Sequence, residues 1–421
     1  MSAEELRARI VKLESEIELQ KKLLKKLEKD KSLAQGQLNA VLDPVARLPL
    51  EISSEILLQS LAPEFAYGAQ RVPTVLLKIC RAWADIALAT PALWTTVRIR
   101  FPCSYDLEEA LPVWFERARN RPLSVSISLV GSLEYCNHCI PDALWEHGGQ
   151  QLKHLKISDD NKADNDETIR LFWDPRIGIK TLVSLPLLET LRIQGQTHQE
   201  QGREYWLSEI FELLRHAPNI VECTFDSMTT LDDHPASERL ILPTLRRLAF
   251  HRGSDDHILR YLSLPALEEL SLPMEGNFRE NFLPPISTAP LQDLALYHYS
   301  SYSDVELHEC LHHIPSLVGC VLWEDDSQVI ADLFQAMADL PSLLPNLRHL
   351  NIQIHEFDAE LDFADSWRML VRALSTRRLL ELRIVNVKEP PPADVLASLR
   401  ELVLGGIEIY IGDGIRNFVV D

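Results

Sequence analysis

The sequence predicts an α/β chain in three parts: an N-terminal helix or coiled coil over 1–42, a small three-helix domain over 43–98, and an irregular α/β solenoid with a curved parallel sheet over 99–421. Three observations predict it. An apolar stripe of 3.5-residue period runs through the first 42 residues, and two short amphipathic stretches bracketed by prolines follow. From about residue 120, one leucine pattern recurs about ten times.

The stripe is Leu6, Ile10, Leu13, Ile17, Gln20, Leu24, Leu27, Lys31, Ala34, Leu38 and Val41. Its steps alternate between four and three residues over about five heptads, which is the seam of a coiled coil. Gln20 and Lys31 interrupt it, and polar residues in a seam set register at a cost in stability. The segment carries +2, against −22 for the remainder of the chain. Two readings stay open. One is a coiled coil that dimerises the chain or docks a helical partner. The other is a single amphipathic helix, packed on the following domain or solvated.

Pro44 ends the helix, because the residue before a proline is biased away from helical backbone. In RLPLEISSEILLQSL, Ile52, Ile56 and Leu57 fall at helical spacing, with Leu61 one turn later. Pro49 suits a first helical turn, and Leu48 before it is an apolar hook. The next stretch, VLLKICRAWADIAL, places Leu76, Ile79, Cys80, Trp83, Ile86 and Ala87 on one face. TPALW closes the region, with Pro91 stopping the helix and Leu93-Trp94 folding back. A domain of about 50 residues buries little surface, and the apolar residues here exceed what a three-helix core needs. The surplus reads as a partner-binding patch, or else as packing against the neighbouring chain.

The order LPxEIxxxIL, a loop, LLxxCRxWxxIA and then PxLW resembles the F-box, a three-helix module that binds the Skp-type adaptor of cullin–RING ubiquitin ligases. The match covers about 50 of the 421 residues, and its irregular landmarks fall in the right order. The whole layout is similar to a group of fungal F-box proteins. The resemblance implies an adaptor contact through Leu48, Pro49, Ile52, Ile56, Leu57 and Leu61, completed by Cys80, Trp83, Leu93 and Trp94, and through the adaptor a cullin. The stretch APEFAYGAQRVPT (62–74) between the two helices is longer than the shortest F-boxes allow.

The recurring pattern is LPxLxxLxL. It reads LPLLETLRI (185–193), LPTLRRLAF (242–250), LPALEELSL (264–272), APLQDLALY (289–297), IPSLVGCVL (314–322) and LPNLRHLNI (344–352). Weaker copies begin with QLKHLKI (151–157) and end with SLRELVL (398–404), and RPLSVSISL (121–129) is a candidate first unit. Aligned on the middle apolar position, the units are Leu155, Leu191, Cys223, Leu248, Leu270, Leu294, Cys320, Leu350, Leu382 and Leu402. Their spacings run from 20 to 36 residues, within and slightly beyond the leucine-rich-repeat range. Leu-x-Leu is a short strand with alternate residues inward. Segments such as WLSEIFELLRHA (206–217), DDHILRYLS (255–263) and VIADLFQAMADL (329–340) have helical periodicity. The expectation is an irregular leucine-rich-repeat α/β solenoid, whose concave face is left for binding. The asparagine that usually follows the strand in such repeats is absent. Outward strand positions include Gln194, Glu269, His349, Gln353 and Arg383. Among the others, Arg192, Arg247, His251, Tyr297 and Trp323 are of types that carry binding energy at interfaces, with Tyr297 and Trp323 foremost.

Composition narrows the function. A net charge of −20 argues against nucleic acid and anionic membrane as partners, since both need a basic face. No apolar run approaches a membrane span, and the N-terminus has no apolar core, so a cytoplasmic or nuclear protein is expected. Cys136-Asn-His-Cys139 lacks a second ligand pair, so neither metal nor cofactor is expected. No phosphate-loop, dinucleotide, zinc-protease or nucleophile-elbow motif occurs. The expectation is therefore not an enzyme but a substrate receptor of a Skp/cullin/F-box-type ubiquitin ligase. The alternative is an interaction scaffold in which the F-box-like segment caps the repeats.

Overall fold

The computed structural model describes residues 3–42, 45–59, 72–101, 107–129, 144–159, 184–195, 203–231, 239–251, 254, 257–273, 289–297, 307–324, 327–354, 364–377 and 379–420. They fall into two compact units. One holds residues up to Thr96 together with Val113–Arg121, and the other holds the rest.

The first unit opens with α1 (Ala3–Leu42), one unbroken helix whose side chains are exposed wherever they are described. A 3₁₀ turn (Val45–Arg47) leads into α2 (Leu50–Gln59). The turn and helix are joined by Ser53, whose amide donates to Pro49 O and whose hydroxyl donates to Val45 O, both at 3.0 Å. Next come α3 (Val72–Ile79) and α4 (Arg81–Ala89). The amphipathic stretch is two helices rather than one, because Cys80 is extended (φ −157°) and breaks the ladder. The α3 helix claims the last three residues of the stretch expected as a loop, with Pro73 in its first turn, where a missing N–H costs nothing. Residues 62–71 of that stretch, and Leu61 just before it, lie outside the described residues.

Pro91 stops α4 as expected, and Pro91–Trp94 is a 3₁₀ turn. Thr90 fixes the corner. Its hydroxyl lies 2.7 Å from Ile86 O and 2.8 Å from Ser54 Oγ. The Trp94 indole then folds back to donate to Ala87 O at 2.8 Å. Helix α5 (Leu107–Ala118) supplies Trp114, which packs edge-on against Trp94 at 5.0 Å and donates its indole N–H to Trp94 O. The Arg117 guanidinium sits 4.5 Å from the Trp94 ring centre.

The second unit is built on a long sheet. Its strands are β1 (Thr96–Phe101), β2 (Leu123–Leu129), β3 (Leu152–Asp159), β4 (Thr190–Gln194), β6 (Glu222–Asp226), β9 (Arg247–Phe250), β11 (Glu269–Pro273), β12 (Asp293–Tyr297), β13 (Gly319–Glu324), β14 (His349–Ile354), β15 (Glu381–Val385) and β16 (Glu408–Gly412). They lie side by side in chain order, an open twelve-stranded sheet that is parallel at every pair from β2 to β16. Two small parallel pairs flank it: β5 (Arg203–Trp206) with β7 (Met228–Leu231), and β8 (Leu240–Ile241) with β10 (Leu262–Ser263).

Register follows the leucine pattern. Leu155, Leu191, Cys223, Leu248, Leu270, Leu294, Cys320, Leu350 and Leu382 are Cα partners from strand to strand. All are buried, as is the second inward row from Ile157 to Ile411. The tenth expected member, Leu402, is not in the row. SLRELVL belongs to helix α10 (Ala393–Leu404), and Ile409 takes the strand position beside Leu382. The helix runs through that segment because Val395 and Leu399 bury at helical spacing, and it stops at Gly405-Gly406, where Gly406 has φ +99°. The corrected step from Leu382 to Ile409 is 27 residues.

Connector length decides what returns the chain. The expected helix at 206–217 is α6 (Leu207–Arg215). Long steps also carry α7 (Leu307–His312), α8 (Ser327–Asp339) and α9 (Ala364–Ser375). In the 22-residue step from Leu248 to Leu270, the described part of the expected helical segment is a five-residue 3₁₀ turn (His257–Tyr261) that leads into β10, and not an α-helix. The usual asparagine is absent, and in four of the repeats the residue after the proline reaches back to the preceding repeat. Asn219 donates to Pro186 O (2.7 Å), Thr244 to Pro218 O (3.0 Å), Ser316 to Leu291 O (2.7 Å) and Asn346 to Pro315 O (2.9 Å).

Candidate interaction surfaces

In the first unit, α2 sorts its side chains by helical spacing. Ser53 and Leu57, four apart, face inward, and Leu57 is 1% exposed. Ile52 and Ile56, also four apart, face out at 51% and 42%, and Leu48 just before the helix is 40% exposed. Pro49 is exposed beside it. Cys80 and Trp83 are half-buried. Leu93 and Trp94, at 1% and 0%, are core of this unit and present nothing to a partner, and the same holds for Leu57. The reason is visible in the corner already described: the indole that was expected to complete the contact is spent on Ala87 O, Trp114 and Arg117. Ile79, expected on one face with the buried Leu76, is 47% exposed, and further exposed apolar residues went unremarked in the sequence, namely Leu50 on α2, Val75 on α3 and Leu88 on α4. Their signal was present as apolar residues off the inward stripe of each short helix.

In the second unit, the outward strand positions form rows across the sheet. One row contains Tyr297, Trp323, Gln353 and Val385 as successive partners. The Tyr297 and Trp323 rings stack at 4.2 Å with 15° between planes. His251 meets Tyr297 edge-on at 6.4 Å. The pair is held from both sides. The Ser271 hydroxyl donates to the Tyr297 OH at 3.1 Å, and the Trp323 indole donates to Gln353 Oε1 at 2.5 Å.

The adjacent row is Arg192, Thr224, Ala249, Ser271, Ala295, Val321, Asn351, Arg383 and Tyr410. From Thr224 to Val321 it is a floor of small residues beside the aromatic ledge. Arg192 Nε and Asn351 Oδ1, towards its two ends, are buried atoms without a hydrogen-bond partner among the described residues. Arg383 lies over the Tyr410 ring at 4.7 Å. The sequence reading overlooked Tyr410 because it aligned the last unit on Leu402.

Of the five expected binding residues, the structure brings His251, Tyr297 and Trp323 together. Arg192 lies four strands from Tyr297, about 19 Å at the usual strand spacing. Arg247 shares the face but is engaged with Glu222 of the neighbouring strand at 2.9 Å. It belongs to a third row rich in acids, with Glu222, Glu269, Asp293, Glu381 and Glu408.

Among the described residues, no three of His, Cys, Asp and Glu gather as a metal site, and Cys136 and Cys139 lie outside them. No helix among the described residues is long and apolar enough to cross a membrane. The chain matches no protein-family model, and no curated protein matches it.

Proposed function

We propose that the chain is the substrate-recognition subunit of a Skp/cullin/F-box-type ubiquitin ligase. The F-box-like unit docks on the Skp-type adaptor, and a leucine-rich-repeat solenoid holds a target protein. The chain itself transfers no ubiquitin. It supplies proximity, turning an encounter between the ligase's other subunits and the target into an effectively intramolecular one.

The observation that carries the reading is the division of α2. Ser53 and Leu57 suffice for its core contact, while Leu48, Ile52 and Ile56 stay in solvent at 40–51% exposure. Apolar side chains left out of so small a core are a docking surface in waiting.

The aromatic ledge and small-residue floor support the target-binding half. Stacked Tyr and Trp offer rigid apolar area at low entropic cost. Arg192 Nε and Asn351 Oδ1 supply one donor and one acceptor that a bound chain would satisfy. The acidic row beside them favours a basic target segment.

Co-purification of the full chain with a Skp-type adaptor tests the first half. The wild type retains the adaptor and Leu48→Ala/Pro49→Ala loses it. A well-folded wild type that retains none overturns the reading.

A further inference from the structure

Helix α1 leaves its whole apolar stripe uncovered. Leu6, Ile10, Leu13, Ile17, Leu24, Leu27, Leu38 and Val41 are each at least 44% exposed, on a helix 40 residues long. A helix of that length with an unpacked stripe draws little stability from propensity alone, since packing of the apolar face is what usually holds helices in proteins. What covers the stripe can be read from its chemistry.

The alternation of steps fixes the heptad. Ile10, Ile17, Leu24, Lys31 and Leu38 fall at the first core position, and Leu6, Leu13, Gln20, Leu27, Ala34 and Val41 at the second. Isoleucine at the first position with leucine at the second favours two parallel strands, and one lysine at a first position selects register and oligomer state. From these features we infer that α1 pairs with α1 of a second copy of this chain, as a parallel, in-register two-stranded coiled coil.

The flanking charges decide both the occupant and the direction. In a parallel pair, each residue before a first core position faces the residue five places later on the other helix. Arg9 then faces Glu14 of the second copy, and Glu16 faces Lys21 of the second copy. Both pairs attract, each occurs twice, and the next two, Leu23 with Glu28 and Asp30 with Gln35, are neutral. Asp30 of the second copy also flanks Lys31, and so offers its ammonium a carboxylate at the edge of the seam. Gln20 meets Gln20, whose amides can bond one another. Turning one helix round at full overlap sets Glu14 against Glu28, Glu16 against Asp30 and Lys21 against Lys21, and presses Lys31 onto Leu13. The sequence complements itself in one direction only.

Dimerisation places two F-box-like units and two candidate target faces in one assembly, which raises avidity for a target bearing two sites. The inference does not rest on adaptor binding.

Sedimentation equilibrium of the full chain reads it. The wild type sediments at twice its 48.0 kDa mass in the micromolar range. Ile17→Lys/Leu24→Lys, at positions that contact solvent, sediments as a monomer with an unchanged circular dichroism spectrum outside the loss of α1. Direction is read by charge exchange. Glu14→Arg alone weakens the dimer about tenfold, and Arg9→Glu added to it restores the affinity. A monomeric wild type, or a dimer that survives Ile17→Lys/Leu24→Lys, overturns the inference. So does a tighter dimer for Glu14→Arg alone, which is the antiparallel result.

Discussion

The fold owes little to Tyr297 and Trp323 and much to Phe225. Phe225 is 1% exposed and stacks on Phe250 at 5.2 Å in the inward rows. Tyr297 and Trp323 stack on each other on the outward face. Truncating Phe225 to Ala leaves a cavity and costs about 3–5 kcal/mol. Truncating Trp323 removes one stacked pair and costs about 1–2 kcal/mol. Urea unfolding of the two variants checks the contrast, and equal losses would mean that the outward aromatics are structural.

The inward thiols give a pH signature. Burial pushes Cys320 from 9.0 up to about 12, and it pushes Cys223 higher still, with Glu222 adding to the rise. An unfolded thiol ionises near 9, whereas the folded one must stay neutral to higher pH. The stabilising contribution is therefore complete below pH 9 and is lost as pH climbs from 9 towards 12. Unfolding free energy measured across that window falls in the wild type and falls less in Cys320→Ala.

At the scale of elements, Arg377, just after α9, ties that helix to α8 and the loop that follows α8. Its guanidinium donates to Met337 O at 2.8 Å, Leu340 O at 3.0 Å and Leu344 O at 3.3 Å, and also to Leu343 O. These carbonyls close α8 and the loop after it, where a helix end leaves acceptors unsatisfied. Arg377→Ala costs about 2–3 kcal/mol in urea unfolding, and Arg377→Lys recovers less than half, because a point charge cannot fork across several carbonyls. A loss under about 0.5 kcal/mol would sever this link.

The elements also show what was legible. Nine of the ten aligned apolar positions are register partners, because Leu-x-Leu alternation is a direct imprint of a strand with one buried face. The tenth failed because Leu399, Leu402 and Leu404 mimic the pattern inside a helix, while the decisive Gly405-Gly406 stop lay just beyond it. The clustering of His251 with Tyr297 and Trp323 followed from the alignment, since equivalent positions share a row. Arg247's ion pair with Glu222 did not, because it depends on which side chain stands opposite. In the first unit, helical spacing alone could not separate Ile52 and Ile56 from Leu57. That split depends on Ser53, a small polar residue buried by its bond to Val45 O.

Across the whole molecule, the −20 charge and the +2 N-terminal segment set long-range steering, but the central claim lies in one surface of the first unit. The most direct measurement is a calorimetric titration of the full chain with a purified Skp-type adaptor, wild type against Ile52→Asp/Ile56→Asp. Both positions are exposed, so the variant keeps its thermal midpoint. The account predicts saturable one-to-one binding by the wild type and at least a hundredfold loss in the variant, as expected when two hot-spot side chains become charged in a desolvated contact. Absence of binding by folded wild type, or equal affinity in the two proteins, would contradict it.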